Sequence, residues 1–326
     1  MSSIVRHITP IAPESATGLL AEVYAQVNRE FSSSGPAVQM LTPADQIAAA
    51  AWALLRESQL AAGEIPLVNK VMVALGVAQA NRFGYDEAAF LAMLRIAGMP
   101  DTATVIESGG TPADPALARP LLWARSTDGP SPVDLPDHRA ELIGTALFSH
   151  FIHRVAAAML PAGLHPGTLR EADDPPFEGA PVFREPRAVE PGESIRLLTK
   201  NPRRELPDWA PSGPIGTAYA ALAASAAQGR HLLGDAAGQV ASEVIARHRG
   251  RRVREGTPWE STLSKLAEVE RPGAELAILT ALAPERISDA LVATWRATDE
   301  NFSDHCTVYL LSFGAMAAVE QIEADL

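Results

Sequence analysis

The stretch Gln79-Ala80-Asn81-Arg82-Phe83-Gly84-Tyr85-Asp86-Glu87 separates two segments in which apolar residues recur every three or four positions. That spacing predicts one helix over about 66–81 and a second that Asp86 opens and that carries Phe90, Leu91, Met93, Leu94 and Ile96. Gly98 and then Pro100 supply its stop. Working outward, Ile47, Trp52, Leu54, Leu55 and Leu60 mark a helix over about 45–62. Leu19, Leu20, Val23, Tyr24 and Val27 share one face of a helix that follows Pro13-Glu14-Ser15. Residues 99–135 mix short helical stretches with breakers such as Gly109-Gly110 and Gly129-Pro130, and a long helix is expected over about 137–160. Alternating β-branched runs are almost absent, so the fold class expected is all-α.

The chain has 326 residues, long enough for about two domains or one duplicated unit. Its 39 acidic and 27 basic side chains give a net charge of -12, which argues against nucleic acid and anionic membrane as partners. A single cysteine, Cys306, excludes an internal disulfide, a cysteine-rich zinc site and a two-thiol redox couple. The N-terminal residues lack an apolar leader-like run, and no stretch reaches the roughly 18 apolar residues of a spanning helix, so a cytoplasmic protein is expected. Between 161 and 214 stand eleven of the 26 prolines, predicting an extended connector between a helical half at 1–160 and another at 215–326. The halves look like faint copies: 17–24 matches 216–222, and 137–160 matches 304–323. Chance similarity between alanine-rich helices would give the same impression.

Ala51-Trp52-Ala53-Leu54-Leu55-Arg56-Glu57, then Lys70, then Ala80 to Asp86 and onward to Gly98, resembles the alkylhydroperoxidase D-like (carboxymuconolactone decarboxylase) superfamily. Ala140 to Arg154 resembles the helix that follows in a longer, two-copy subgroup. The resemblance covers about residues 15–160, and the C-terminal half loosely. It implies an all-α helical bundle that assembles as a homodimer or larger ring. The peroxidase members carry a glutamate, a Cys-x-x-Cys pair and a histidine, and laying that pattern on this chain puts them at Val71, Phe83, Asp86 and Phe90. All four are replaced, and phenylalanine offers neither nucleophile nor proton, so dithiol peroxidase chemistry at that position is excluded. The replacement also leaves no matching acid-base set for the decarboxylase reaction.

Two readings of the altered site stand side by side. In one, Val71, Phe83 and Phe90 fill the old cavity as core, and Asp86 caps the start of its helix. In the other, an apolar pocket survives with Asp86, Tyr85 and Glu87 at its mouth and takes a small apolar organic molecule. His150 and His153, three apart on the long helix, share one face and could serve proton transfer or hold a metal ion. Two ligands are too few for zinc or iron, so Asp86 or Glu87 would have to complete such a site. Glu141 falls about half a turn away from His150 and cannot join it, and His138 lies farther down the axis. In the structural alternative His150 bonds a backbone carbonyl and His153 sits at a surface.

Cys306 is expected to be a lone buried thiol; the basic run His248, Arg249, Arg251, Arg252 and Arg254 is expected to be a solvated helix end, with contact to an anionic substrate or partner as the alternative. No phosphate-cradling glycine loop occurs. The function expected is a cysteine-independent enzyme of lyase, isomerase or cyclase type in specialised biosynthesis, using Asp86, Tyr85, His150 and His153 with Val71, Phe83, Phe90 and Glu87 around the substrate. The alternatives are a catalytically silent ligand-binding or structural protein, and residual peroxidase activity through Cys306.

Overall fold

The computed structural model describes residues 4–31, 35–127, 139–170 and 188–326. Among these the chain is helical, without a strand; one isolated parallel bridge joins Ala61 to Val189. In the N-terminal half the helices are α1 (Gly18–Glu30), α2 (Pro36–Gln39), α3 (Asp45–Leu55), α4 (Leu67–Asn81), α5 (Gly84–Ile96), α6 (Pro100–Glu107), α7 (Pro115–Arg125) and α8 (Arg139–Met159). The C-terminal half holds α9 (Gly213–Ala227), α10 (Asp235–Arg247), α11 (Glu260–Leu263), α12 (Arg271–Leu282), α13 (Asp289–Arg296) and α14 (Asp304–Glu323).

Alanine decides how closely these helices approach. Ala48 to Ala51 and Ala53 of α3 are all buried, and small side chains let α3 lie against α1, α8 and α9 at once. Gly76 serves the α4–α7 crossing in the same way: a Cβ there would come within 2.7 Å of the Leu121 carbonyl oxygen. Gly314 does so where α14 meets α12, 2.4 Å from the Ala277 oxygen. One buried apolar cluster contains residues of both halves, from Val5 to Ile322, and α8 packs on α14 as α3 packs on α9. A second, smaller cluster of Met72, Leu75, Leu91, Leu94 and neighbours lies under α4 to α7. By length and composition α8 could span a bilayer, yet 94% of its most apolar window is buried inside the fold, which makes it a core helix.

Three departures from expectation have local causes. The helix expected over 45–62 leaves α geometry after Leu55 and continues as a π-turn from Arg56 to Leu60. Arg56 and Glu57, charged and adjacent, are both buried there: Arg56 NH1 bonds Glu57 at 2.8 Å and its Nε bonds Glu30 at 2.5 Å. Glu57 in turn accepts from the Gly192 N–H at 2.7 Å and the Ser194 hydroxyl at 2.6 Å. The described ends of the proline-rich segment are therefore anchored to the core, and Ile195–Leu198 forms a short 3₁₀ turn; 171–187 lies outside the described residues. The third departure is the start of α5, which begins at Gly84 and not at Asp86. His138 and the Gly129-Pro130 breaker also fall outside the described residues.

Candidate functional site

The site forms where α4 stops, α5 starts and α8 crosses behind them. Asn81 is the last residue of α4, and Arg82 ends the helix in the left-handed conformation, φ 52°, with its N–H bonded to Gln79 and that of Phe83 to Ala78. The turn aims the Asn81 amide at α8, where His150 and His153 are both completely buried. Asn81 Nδ2 lies 3.3 Å from His150 Nδ1 and 3.0 Å from His153 Nδ1. An amide NH₂ only donates, so both Nδ1 atoms accept and each ring carries its proton on Nε2.

The two Nε2–H groups point to different partners. His150 donates to Thr127 Oγ1 at 2.8 Å, and Thr127 passes its own proton to the Ala124 carbonyl, also at 2.8 Å. His153 Nε2 is 2.9 Å from Asp86 Oδ2, a close contact that is not aligned as a hydrogen bond. The ring of Phe83 packs over His153 with centroids 5.0 Å apart. Arg154, buried beside them, donates NH1 to the His150 carbonyl at 2.9 Å and also lies 3.3 Å from His150 Nδ1. Burial, followed by the charges of Arg154, His153 and Arg252, holds His150 well below the ordinary imidazole range. A continuous polar chain thus runs Asp86, His153, Asn81, His150, Thr127 through an otherwise apolar interior.

Its outer end meets a cavity of about 80 Å³ lined by Asp86, Tyr85, Val71, Phe90, Ile152 and Ser149 among others. This is several times the roughly 10–15 Å³ one water needs and smaller than the ~150 Å³ cavity that accepts benzene. Asp86 is the one acidic residue in that lining, and its side chain is 23% exposed. Tyr85 forms wall: burial and then the Asp86 charge raise its phenol above the usual range, and its O–H donates to the Thr168 carbonyl at 2.6 Å.

Several expectations are corrected by this geometry. Asp86 is the third residue of α5 and faces His153; it does not cap the helix, because the turn begins two residues earlier. His153 is buried and not at a surface, and the His150 ring bonds Asn81 and Thr127 in place of a backbone carbonyl. Phe83 covers His153 and does not line the cavity that Val71 and Phe90 share. Glu87 is turned away from that cavity, accepting from Gln79 Nε2 at 2.8 Å. Cys306 is half-buried, its thiol 3.8 Å from the Asn301 carbonyl, and lines no part of the Asp86 cavity. Glu141 does lie across the helix, pairing with Lys70 and accepting from the Glu64 N–H at 2.9 Å.

Among the described residues no group of three or more His, Cys, Asp or Glu side chains is placed to hold a metal ion. The Nδ1 atoms of the two imidazoles converge on one point, and the Asn81 amide nitrogen occupies it. Sequence reasoning missed Asn81, Thr127 and Arg154. Asn81 reads as a helix stop, and the signal that could have found it is a polar side chain placed where the histidine-bearing helix must cross.

Over 331 aligned residues the chain is 37% identical to a protein of Mycobacterium tuberculosis (strain ATCC 25618 / H37Rv) named alkyl hydroperoxide reductase Rv2159c. The match covers 98% of this chain and 94% of that protein. No family model matches the chain, and no solved structure matches it.

Proposed function

The chain belongs to the alkylhydroperoxidase D-like family, and from that premise we propose that it is a thiol-independent enzyme that moves protons on a small, largely apolar organic molecule at Asp86. The observation that carries this reading is the Asp86–His153 contact at the edge of the apolar cavity. Asp86 accepts the proton of the bound molecule, and the His153 ring, its Nε2 2.9 Å from Oδ2, gives the carboxylate a polar neighbour at the cavity edge. Asn81 fixes the His153 ring by holding Nδ1, a positioning role like that of the third member of a catalytic triad. Proton abstraction of this kind serves lyase, isomerase and cyclisation reactions alike.

The relative's name raises peroxide reduction for this chain too. Reducing a hydroperoxide to an alcohol takes two electrons, and Cys306 alone would stop at the sulfenic acid unless an external thiol resolved it. A silent, ligand-holding role is the competing reading, favoured by the small size of the cavity.

The test is proton exchange. A panel of small ketones, aldehydes and lactones is incubated with the protein in D₂O, and loss of the hydrogen next to the carbonyl is followed by NMR. The expected result is exchange with at least one compound, reduced about 10²–10⁴-fold in Asp86→Asn and diminished in His153→Gln. Absence of exchange across the panel, or exchange unchanged in Asp86→Asn, would overturn the proposal. Hydroperoxide turnover lost in Cys306→Ser would replace it with thiol chemistry.

A further inference from the structure

Tyr85 is also a wall of a second and much larger space, a cleft of about 810 Å³ between the two halves of the chain. One side is built by the α4–α5 turn and by residues 157–166 at and after the end of α8; the other comes from Arg252, Val253, Arg254 and Glu285. Four guanidinium groups, of Arg6, Arg82, Arg252 and Arg254, line it against the single carboxylate of Glu285. In a chain of net charge -12 this is a local reversal of sign. Arg252 is paired with Glu285 at 2.6 Å, and Arg6 donates to the Ile287 carbonyl at 3.0 Å. Arg82 and Arg254 are exposed, and neither guanidinium has a hydrogen bond or ion pair among the described residues. Of the basic run that follows α10, Arg249 and Arg254 are exposed, and Arg252 and Arg254 line the cleft.

The α4–α5 turn shapes one wall of the cleft. Arg82 ends α4 with a left-handed backbone, φ 52°, where glycine would carry less strain. Asn81 lines the cleft beside it and is 5% exposed. The first turn of α5, entered at Gly84, adds outward N–H groups and the positive end of the helix dipole. Between these polar elements the surface is apolar: Phe83, Leu160, Leu164 and Val253.

We propose that this cleft binds an amphiphilic organic oxyanion, a carboxylate whose charged end lies between Arg82 and Arg254 and whose apolar body rests on Phe83, Leu160 and Leu164. Planar guanidinium groups suit a delocalised two-oxygen anion. Inorganic phosphate offers the same oxyanion chemistry without the apolar body, which makes it the discriminating probe. The cleft shares Asn81, Phe83 and Tyr85 with the surroundings of Asp86, while its arginines play no part in the reaction proposed there.

The experiment is calorimetric titration of the full chain with octanoate and, separately, with inorganic phosphate, at low and at raised salt. Saturable binding of octanoate that weakens with salt and falls at least about 10-fold in the Arg82→Gln/Arg254→Gln double variant is the expected result. Weaker binding of phosphate than of octanoate assigns the apolar body its share; equal or tighter phosphate binding overturns the organic assignment in favour of a plain oxyanion site. Failure of octanoate to bind the wild type, or equal binding to the double variant, overturns the proposal. Arg254→Glu is the second variant: this exposed, unpaired position tolerates substitution, and circular dichroism verifies the fold of each protein before titration.

Discussion

Acidification should destabilise this fold through His150. The ring is completely buried, its Nδ1 accepts from Asn81 and Arg154, and its Nε2–H is given to Thr127, so the folded state holds it neutral. Burial first, and then Arg154, His153 and Arg252, push its titration well below the ordinary value, whereas in the unfolded chain it titrates near 6.5. Below about 6.5 the unfolded chain therefore binds a proton that the folded one refuses, and stability rises with pH across that window. The contribution is fully present above about 6.5 and is lost as pH falls, with a slope approaching about 1.4 kcal/mol per pH unit. Between pH 6.5 and pH 5, before most carboxylates titrate, the loss approaches about 2 kcal/mol. His7 is also lowered, by burial and then by Arg6, and adds a slope of the same sign. Urea unfolding of the wild type and of His150→Gln at half-unit steps from about pH 5 to pH 7.5 separates the two. The wild type should lose more stability than the variant over that range; parallel curves would refute the reasoning.

Three substitutions test the packing and the polar chain by denaturant unfolding. Asn81→Ala removes the donor to two buried imidazoles and should cost about 1–3 kcal/mol, with His150 partly compensated by Arg154. Glu57→Ala leaves the buried Arg56 with Glu30 and the half-exposed Glu193, 3.6 Å away, and frees the Gly192 and Ser194 donors, for a loss of about 3 kcal/mol. Gly76→Ala drives a methyl group into the α4–α7 crossing and should cost about 1–3 kcal/mol.

Helical periodicity makes the bundle legible, and the rotation of 100° per residue alone separates Glu141 from His150. The same rule placed His150 and His153 on one face but could not say what faced them. Their partner Asn81 is distant in sequence and reads locally as a helix stop, and Thr127 sits just past a different helix. Placing the start of α5 two residues late left Asp86 open to a capping reading, and the pocket reading set Glu87 beside it although each residue turns the side chain by a further 100°. Arg56 and Glu57 were illegible for another reason: charged residues normally mark surface, and their burial depends on a segment more than 130 residues away.

The chain of contacts from Asp86 to Thr127 rests on the tautomers of two imidazoles, and these can be observed directly. A long-range proton–nitrogen NMR spectrum of the ¹⁵N-labelled full chain at about pH 7.5 should show His150 and His153 both protonated on Nε2 and bare on Nδ1. Asp86→Asn should then shift the His153 resonances and leave those of His150 nearly in place. A proton on Nδ1 of either ring would contradict the account, because the Asn81 amide could not then bridge the two.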